Sequence, residues 1–392
     1  ATNATFKLGI MFENWLQRDQ KYLHSFGFLG KDCWACGFQH FWSKAQQRGI
    51  ARDIGDYCVE HLAARQGRFA VLPNQDLNHA YHMDATLYAK YLRKMAEQHG
   101  IRRIEGKIAE VQQHADGHIS ALRLQSGELI EGDLFIDCTG FRALLIEQTL
   151  QTGFERWDHW LPCNKAMVVQ TESASTLPPY TRAIAHDSGW QWRIPLQHRV
   201  GNGLVYAADY LSDDKARQRL LGNLETAPLF EPRMLSYQTG RRKKLWHKNC
   251  IAIGLSSGFI EPLEASALAL VEWSAKTLAA ALPLEPALYG LAAAKMNRTF
   301  LRHWQQIIEF LKLHYVLSER DTPYWRAHRE TASIPQTLQD QLQLWQQQVP
   351  QPLDFAYQDL LFPAASYQYV LYGMGALTQT LAAKPSQQAR AR

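Results

Sequence analysis

Residues 251 to 268 read IAIGLSSGFIEPLEASAL, and the fold class turns on this run. Ile251, Ile253 and Leu255 recur at every second position, as in a short apolar strand. Gly254, Ser256, Ser257 and Gly258 supply turn chemistry behind it. Pro262 then predicts a helix start, where its missing N–H has no partner to lose. Glu264 falls in the first turn of that helix, beside free backbone N–H groups and the positive end of the dipole. A strand running through a Gly/Ser turn into a helix start can hold an anion or the polar edge of a cofactor.

Upstream, the segment FKLGIMF at 6–12 alternates. Phe6, Leu8, Ile10 and Phe12 point one way, and Lys7, Gly9 and Met11 the other. On these residues alone Lys7 reads as an edge or surface lysine. Residues 20–60 are rich in aromatics, glycine and histidine and predict an irregular, partly helical loop region, with His24 a packed loop histidine and Phe26 a core residue. Residues 79–99 predict an amphipathic helix closed by Gly100. Short strands follow, with hairpin signals at Asp116-Gly117 and Ser126-Gly127. The apolar strand DLFIDCTG at 133–140 ends at Gly140, where the backbone can come close to a ligand.

From 160 to 250 the pattern is sheet with one helix at 213–222. Within it, GWQWRIP at 189–195 puts Trp190 and Trp192 on one face of a strand, which by itself predicts core. Helices are predicted at 265–281, 286–317 and 335–348. The tail from Lys384 is polar and reads as disordered.

The totals set bounds. A chain of 392 residues supports one large domain or two moderate ones. The net charge of +5 is not gathered into a long basic run. ArgArgLysLys at 241–244 is the densest cluster and predicts a solvated loop or a dimer edge rather than a nucleic-acid site. Of six cysteines only Cys33 and Cys36 form a CxxC, and no second pair completes a zinc site. Reduced thiols in a cytoplasmic protein are expected. Residues 1–7 are polar and lead into a strand, so no signal peptide is expected. The apolar run from Ala265 to Leu284 carries Glu272 and Lys276, so no membrane span is expected.

GWQWRIP fits the WxWxIP signature of flavin-dependent tryptophan halogenases, and IGLSSGFIEPLEAS and FKLGIMFENW resemble two further segments of that family. The resemblance runs from Phe6 to about Trp325. It implies a mixed α/β (α+β) chain with the glutathione-reductase-like FAD-binding fold. Residues 1–268 would form the flavin-binding core, 269–383 a C-terminal helical substrate cap and 384–392 a disordered tail. The sequence has no GxGxxG. On the resemblance the first βαβ unit is therefore expected to be absent and FAD binding weakened.

The resemblance also implies roles. Lys7 and Glu264 would be catalytic. Ile108 would lie by the adenine, Leu255 and Leu268 by the flavin, and the halide at Ser266 and Ala267. His24 and Phe26 would flank the aromatic substrate. Trp190 and Trp192 would wall flavin from substrate. Reduced FAD, O2 and halide (chloride or bromide) would give hypohalous acid, relayed through Lys7 to an electron-rich ring. A hypohalous acid is indiscriminate, so selectivity rests on positioning one ring carbon against one lysine. No nicotinamide site is visible, which implies a separate flavin reductase as a transient partner. A homodimer is compatible with the sequence; no metal, nucleic acid or membrane partner is expected.

Two departures from the family pattern bear on detail. The family's Ser-Thr-Gly after the glutamate is Ala265-Ser266-Ala267 here. The stretch after Pro350 is short and lacks the family's clamp for a free amino acid. An indole or another electron-rich aromatic is therefore expected in preference to free tryptophan. Two other functions stay open on sequence: an aromatic flavin monooxygenase of the same fold, and an inactive flavin-free fragment.

Overall fold

The computed structural model describes residues 2–34, 36–71, 77–355 and 361–379. The polar tail from Lys384 lies outside the described residues, as does 356–360 in the stretch after Pro350. The chain folds as two compact units, each assembled from separate stretches. One comprises Ala1–Thr2, Ala85–Lys165 and Leu235–Ile308; the other comprises Asn3–Asp84, Ala166–Met234 and Glu309–Arg392.

The second unit is built on a seven-stranded sheet. Its strands run, in spatial order, Arg233–Ser236, Lys165–Thr171, Val200–Tyr206, Gly189–Pro195, Thr181–His186, Gly9–Glu13 and Lys21–Ser25. Gly9–Glu13 joins Thr181–His186 in parallel and Lys21–Ser25 antiparallel. In the tryptophan strand, Trp192 stands opposite Gly203. A Cβ on Gly203 would fall 2.1 Å from the Trp192 indole, so only glycine leaves room for the ring. The chain has twelve tryptophans, and several of them gather here. Trp15 packs against Trp190, Tyr315 and Trp325, and Phe12 stacks on Tyr22 at 4.8 Å. The indole N–H groups of Trp15 and Trp325 donate to the carbonyls of Ala183 and His186, so these buried rings keep their hydrogen bonds.

The first unit contains three small sheets and the helices Ala85–Gln98 and Ser266–Ala281. The meander of Ile108–Gln113, Ile119–Leu124 and Leu129–Glu131 turns where the two Asp-Gly and Ser-Gly signals predicted, with Gly117 and Gly127 at φ 80° and 88°. Phe135–Asp137 and Cys250–Ala252 form a parallel pair. The Asn249 side chain acts as a spare peptide group, giving to the Ile119 carbonyl and taking from the Ile119 N–H.

Several local expectations change. The segment at 79–99 is strand Ala80–His82 before it is helix, and the helix begins at Ala85. A preference for strand pairing with Thr5–Lys7 overrides the helical period there. The strand at 251–255 stops at Ala252, and Leu255 sits on the single turn Gly254–Ser256. Pro262 caps a one-turn 3-10 segment, Leu263–Ala265, rather than opening the long helix, which starts at Ser266. His24 lies in a strand, not a loop. Arg241 and Arg242 are not solvated: they sit in strand Gly240–Arg242 and pair with Glu155 and Glu147 at 2.6 and 2.8 Å. Those carboxylates lie far off in sequence, so the run alone could not show them. Among the described residues no helix is long and apolar enough to cross a membrane.

Candidate active site

Lys7, His24 and Phe26 come together in one unit. Thr5–Lys7 pairs with Ala80–His82, and the chain then steps through Leu8 into Gly9–Glu13. Gly9 lies against the backbone of His24, where a Cβ would meet the His24 carbonyl oxygen at 2.4 Å. This close approach brings Phe26, whose N–H donates to the Leu8 carbonyl at 2.9 Å, over the lysine. The Lys7 ammonium is 5.3 Å from the centre of the Phe26 ring. Lys7 is 6% exposed, so it is not the surface lysine that alternation suggested. Burying an ammonium costs free energy, and a ring face within about 6 Å returns roughly 0.5–2 kcal/mol of it. His24 is buried among the rings of Phe26, Phe310 and Tyr369.

The lysine strand is held by residues that no local pattern marks. Thr5 donates its hydroxyl proton to the Pro195 carbonyl at 2.7 Å, so its oxygen accepts from His82 Nδ1 at 3.0 Å. The other ring nitrogen, Nε2, lies 2.9 Å from the Thr181 hydroxyl and accepts from it. The imidazole is therefore neutral and fixed in one tautomer. Burial, and then the neighbouring Lys7 charge, push its pKa down to about 3. Pro195 closes the WxWxIP motif, so that motif reaches Lys7 through Thr5. His82 lies in the part of 79–99 where strand pairing overrides the helical period.

Glu264, Ser266, Ala267, Ile108, Leu255 and Leu268 belong to the other unit. Glu264 precedes the α-helix instead of standing in its first turn. It has φ 64°, and Ala265 after it has φ 53°. Two consecutive non-glycine residues in the left-handed region cost roughly 1–2 kcal/mol each, and such strain concentrates where a side chain must be aimed. Ser266 and Ala267 then open the helix Ser266–Ala281, whose first N–H groups have no acceptor within the helix. A helix start of this kind can hold an anion. Leu255 and Leu268 are 40% and 62% exposed, and Ile108 is half-buried at the start of its strand.

The same unit offers a fit for a flavin. The Asp137 carboxylate takes four donors: the Thr139 N–H and hydroxyl, and the N–H groups of Leu145 and Ile146. This knot folds the chain after Phe135–Asp137 so that Gly140 (φ 70°) has open space where a Cβ would stand. The partner strand ends alike at Gly254 (φ 75°). Two parallel strands whose carboxyl ends both close on left-handed glycines leave bare backbone at the edge where open α/β sheets bind ligands. Asp137 went unread in the sequence. An Asp two residues before Thr is the Asx-turn signal that would have found it.

The tryptophan halogenase family matches residues 1–390. Tryptophan 7-halogenase RebH of Lentzea aerocolonigenes is 32% identical over 351 residues, 84% of this chain and 66% of its own length. Tryptophan 6-halogenase SttH of Streptomyces toxytricini is 32% identical over 407 residues, 96% of this chain and 77% of its own. Among solved structures, Xcc4156, a flavin-dependent halogenase from Xanthomonas campestris, gives a TM-score of 0.92 at 46% identity. That match covers 99% of this chain and 78% of that one. BrvH, a flavin-dependent halogenase from Brevundimonas sp. BAL3, gives 0.92 at 38% identity, covering 100% and 82%. The chain thus spans about two thirds of RebH and about four-fifths of the others. A match over nearly every residue, joined to WxWxIP and the lysine strand it supports, makes the chain a member of the flavin-dependent tryptophan halogenase family.

Proposed function

We propose that the chain halogenates an electron-rich, indole-like aromatic ring, with Lys7 and Glu264 as its catalytic residues. The observation that carries this is the buried Lys7 ammonium beneath the Phe26 ring, on a strand locked by Thr5 and neutral His82. Reduced FAD, when bound, supplies with O2 the oxidising power that turns halide into hypohalous acid. Gly140, Gly254 and Leu255 offer it backbone and apolar surface, with Leu268 and Ile108 further along the same unit. Ser266 and Ala267 hold the halide on their N–H groups.

Lys7 donates a hydrogen bond to the oxygen of hypohalous acid and orients its halogen toward one ring carbon. A carbon–halogen bond forms as the oxygen–halogen bond breaks. The departing hydroxide takes a proton from the Lys7 ammonium and leaves as water, Glu264 accepts the proton released by the ring, and exchange with solvent resets both residues. His24 and Phe26 border the ring. RebH and SttH bear the names of tryptophan halogenases. The altered stretch after Pro350 favours a simpler indole here, and a separate flavin reductase supplies the reduced cofactor.

The test is a panel of indoles and phenols incubated with the protein, a flavin reductase, FAD and bromide, read by mass spectrometry. A product carrying the bromine isotope doublet, dependent on bromide and lost in Lys7→Ala, is expected. A hydroxylated product formed without halide would overturn the assignment.

A further inference from the structure

The CxxC that the proposed chemistry does not use is arranged for chemistry of its own. Cys33 and Cys36 exchange both backbone hydrogen bonds, each at 3.0 Å. Residues paired that way across an antiparallel bridge have Cα atoms about 5.5 Å apart, inside the range of about 4.4–6.8 Å that a disulfide spans. Both thiols are free; Cys33 is exposed and Cys36 half-buried. Trp34, beside them, is fully exposed with φ 51°.

The turn is anchored at both ends. Gly30 donates its N–H to the Tyr57 carbonyl at 2.9 Å, and the Phe38 ring fills the space where a Gly30 Cβ would go. The Asp32 carboxylate accepts from the Phe38 N–H at 2.9 Å, at the start of helix Phe38–Gln47. The backbones of the two cysteines are therefore held opposite each other, on a loop that follows Phe26 in the chain. Among the described residues no group of three His, Cys, Asp or Glu is placed to hold a metal. Cys58, Cys163 and Cys250 are instead buried, out of reach of an oxidant in solvent.

We propose that Cys33 and Cys36 are a modification site, a thiol pair that hypohalous acid oxidises to an intramolecular disulfide. The source of that oxidant rests on the halogenase reaction proposed above; the chemistry of the pair does not. The exposed Cys33 sulfur attacks the halogen, forming a sulfur–halogen bond. The oxygen–halogen bond breaks, and water leaves with the thiol proton. Cys36 sulfur then attacks Cys33 sulfur: the sulfur–sulfur bond forms, and halide and a proton leave. The two thiols together lose two electrons and the halogen gains them. Oxidant escaping near Phe26 is consumed before it reaches the tryptophans and methionines of the core.

The test uses the whole protein, reduced, desalted and treated with one equivalent of reagent hypochlorite, then alkylated under denaturing conditions and mapped by mass spectrometry. The expected result is a peptide containing both cysteines that has lost two hydrogens, resists alkylation and recovers on adding dithiothreitol. Cys33→Ser or Cys36→Ser should each remove that species. Full alkylation of both cysteines, their separate conversion to sulfinic or sulfonic acids, or a crosslink between chains would overturn the proposal. A second arm replaces hypochlorite by turnover with bromide. A disulfide with hypochlorite but none on turnover upholds the pair and counts against the oxidant source instead.

Discussion

Thr5 and Pro195 are joined by a 2.7 Å hydrogen bond from hydroxyl to carbonyl, which fastens the lysine strand to the end of the tryptophan motif. Thr5→Val keeps the side-chain shape and removes the donor and the acceptor that His82 uses. Leaving those buried groups unmatched should cost about 1–3 kcal/mol in urea unfolding. Thr5→Ser should recover most of it. A Thr5→Val protein as stable as the parent would show the bond to be dispensable.

His82 should make stability fall in acid. Burial, with a smaller push from the Lys7 ammonium, lowers its folded pKa to about 3, against 6.5 for an ordinary histidine. Between those values the unfolded chain binds the proton and the folded chain does not. The contribution is thus complete above pH 6.5 and is lost as pH drops toward 3, at up to about 1.4 kcal/mol per pH unit. Chemical denaturation from pH 7 to 4 should show a flatter dependence in His82→Gln than in the parent.

Glu264 and Ala265 both carry left-handed backbone strain, and substitution separates what each side chain does. Glycine at either position relieves roughly 1–2 kcal/mol of left-handed strain and gives back about 0.4–1 kcal/mol to the freer unfolded chain. Both Glu264→Gly and Ala265→Gly should therefore unfold at slightly higher urea. Ala265→Gly should keep halogenation, whereas Glu264→Gly should lose it by about 100-fold or more, as general acid–base groups do.

Lys7→Met tests whether the buried ammonium is there for chemistry. Replacing a buried charge by an apolar chain of similar length should leave stability unchanged or raised. Brominated product should vanish. Loss of folding along with activity would make Lys7 a structural residue.

Gly203→Ala places a methyl 2.1 Å from the Trp192 ring. Overpacking of this kind costs about 1–3 kcal/mol, and the indole must turn away from its strand. A changed near-UV circular dichroism signal with an unchanged far-UV spectrum is the expected signature.

Much of the fold was legible where periodicity was strong. The helix at 213–222 and both hairpins of the meander lie where the residues predicted them, and the helix predicted at 265–281 starts at Ser266. Legibility failed where long-range pairing decided the outcome. Ala80–His82 became strand because Thr5–Lys7 lies beside it, and Arg241 and Arg242 left solvent for ion pairs because Glu155 and Glu147 meet them. At the candidate site, alternation alone gave Lys7 the wrong environment, and only its resemblance to a family lysine drew attention to it. Thr5 and His82 carry no local pattern of their own. Their importance follows from one hydrogen-bond chain that a linear sequence does not display.

The parallel contact between Gly9–Glu13 and Thr181–His186 also has a kinetic side. The first strand leaves the ribosome long before the second has been synthesised, so its apolar face must wait without its neighbour. Pairings of such separation fold slowly and expose sticky surface meanwhile. Expression at low temperature, or alongside a chaperone that shields emerging chains, should raise the yield of active protein more than any stabilising substitution in the helices.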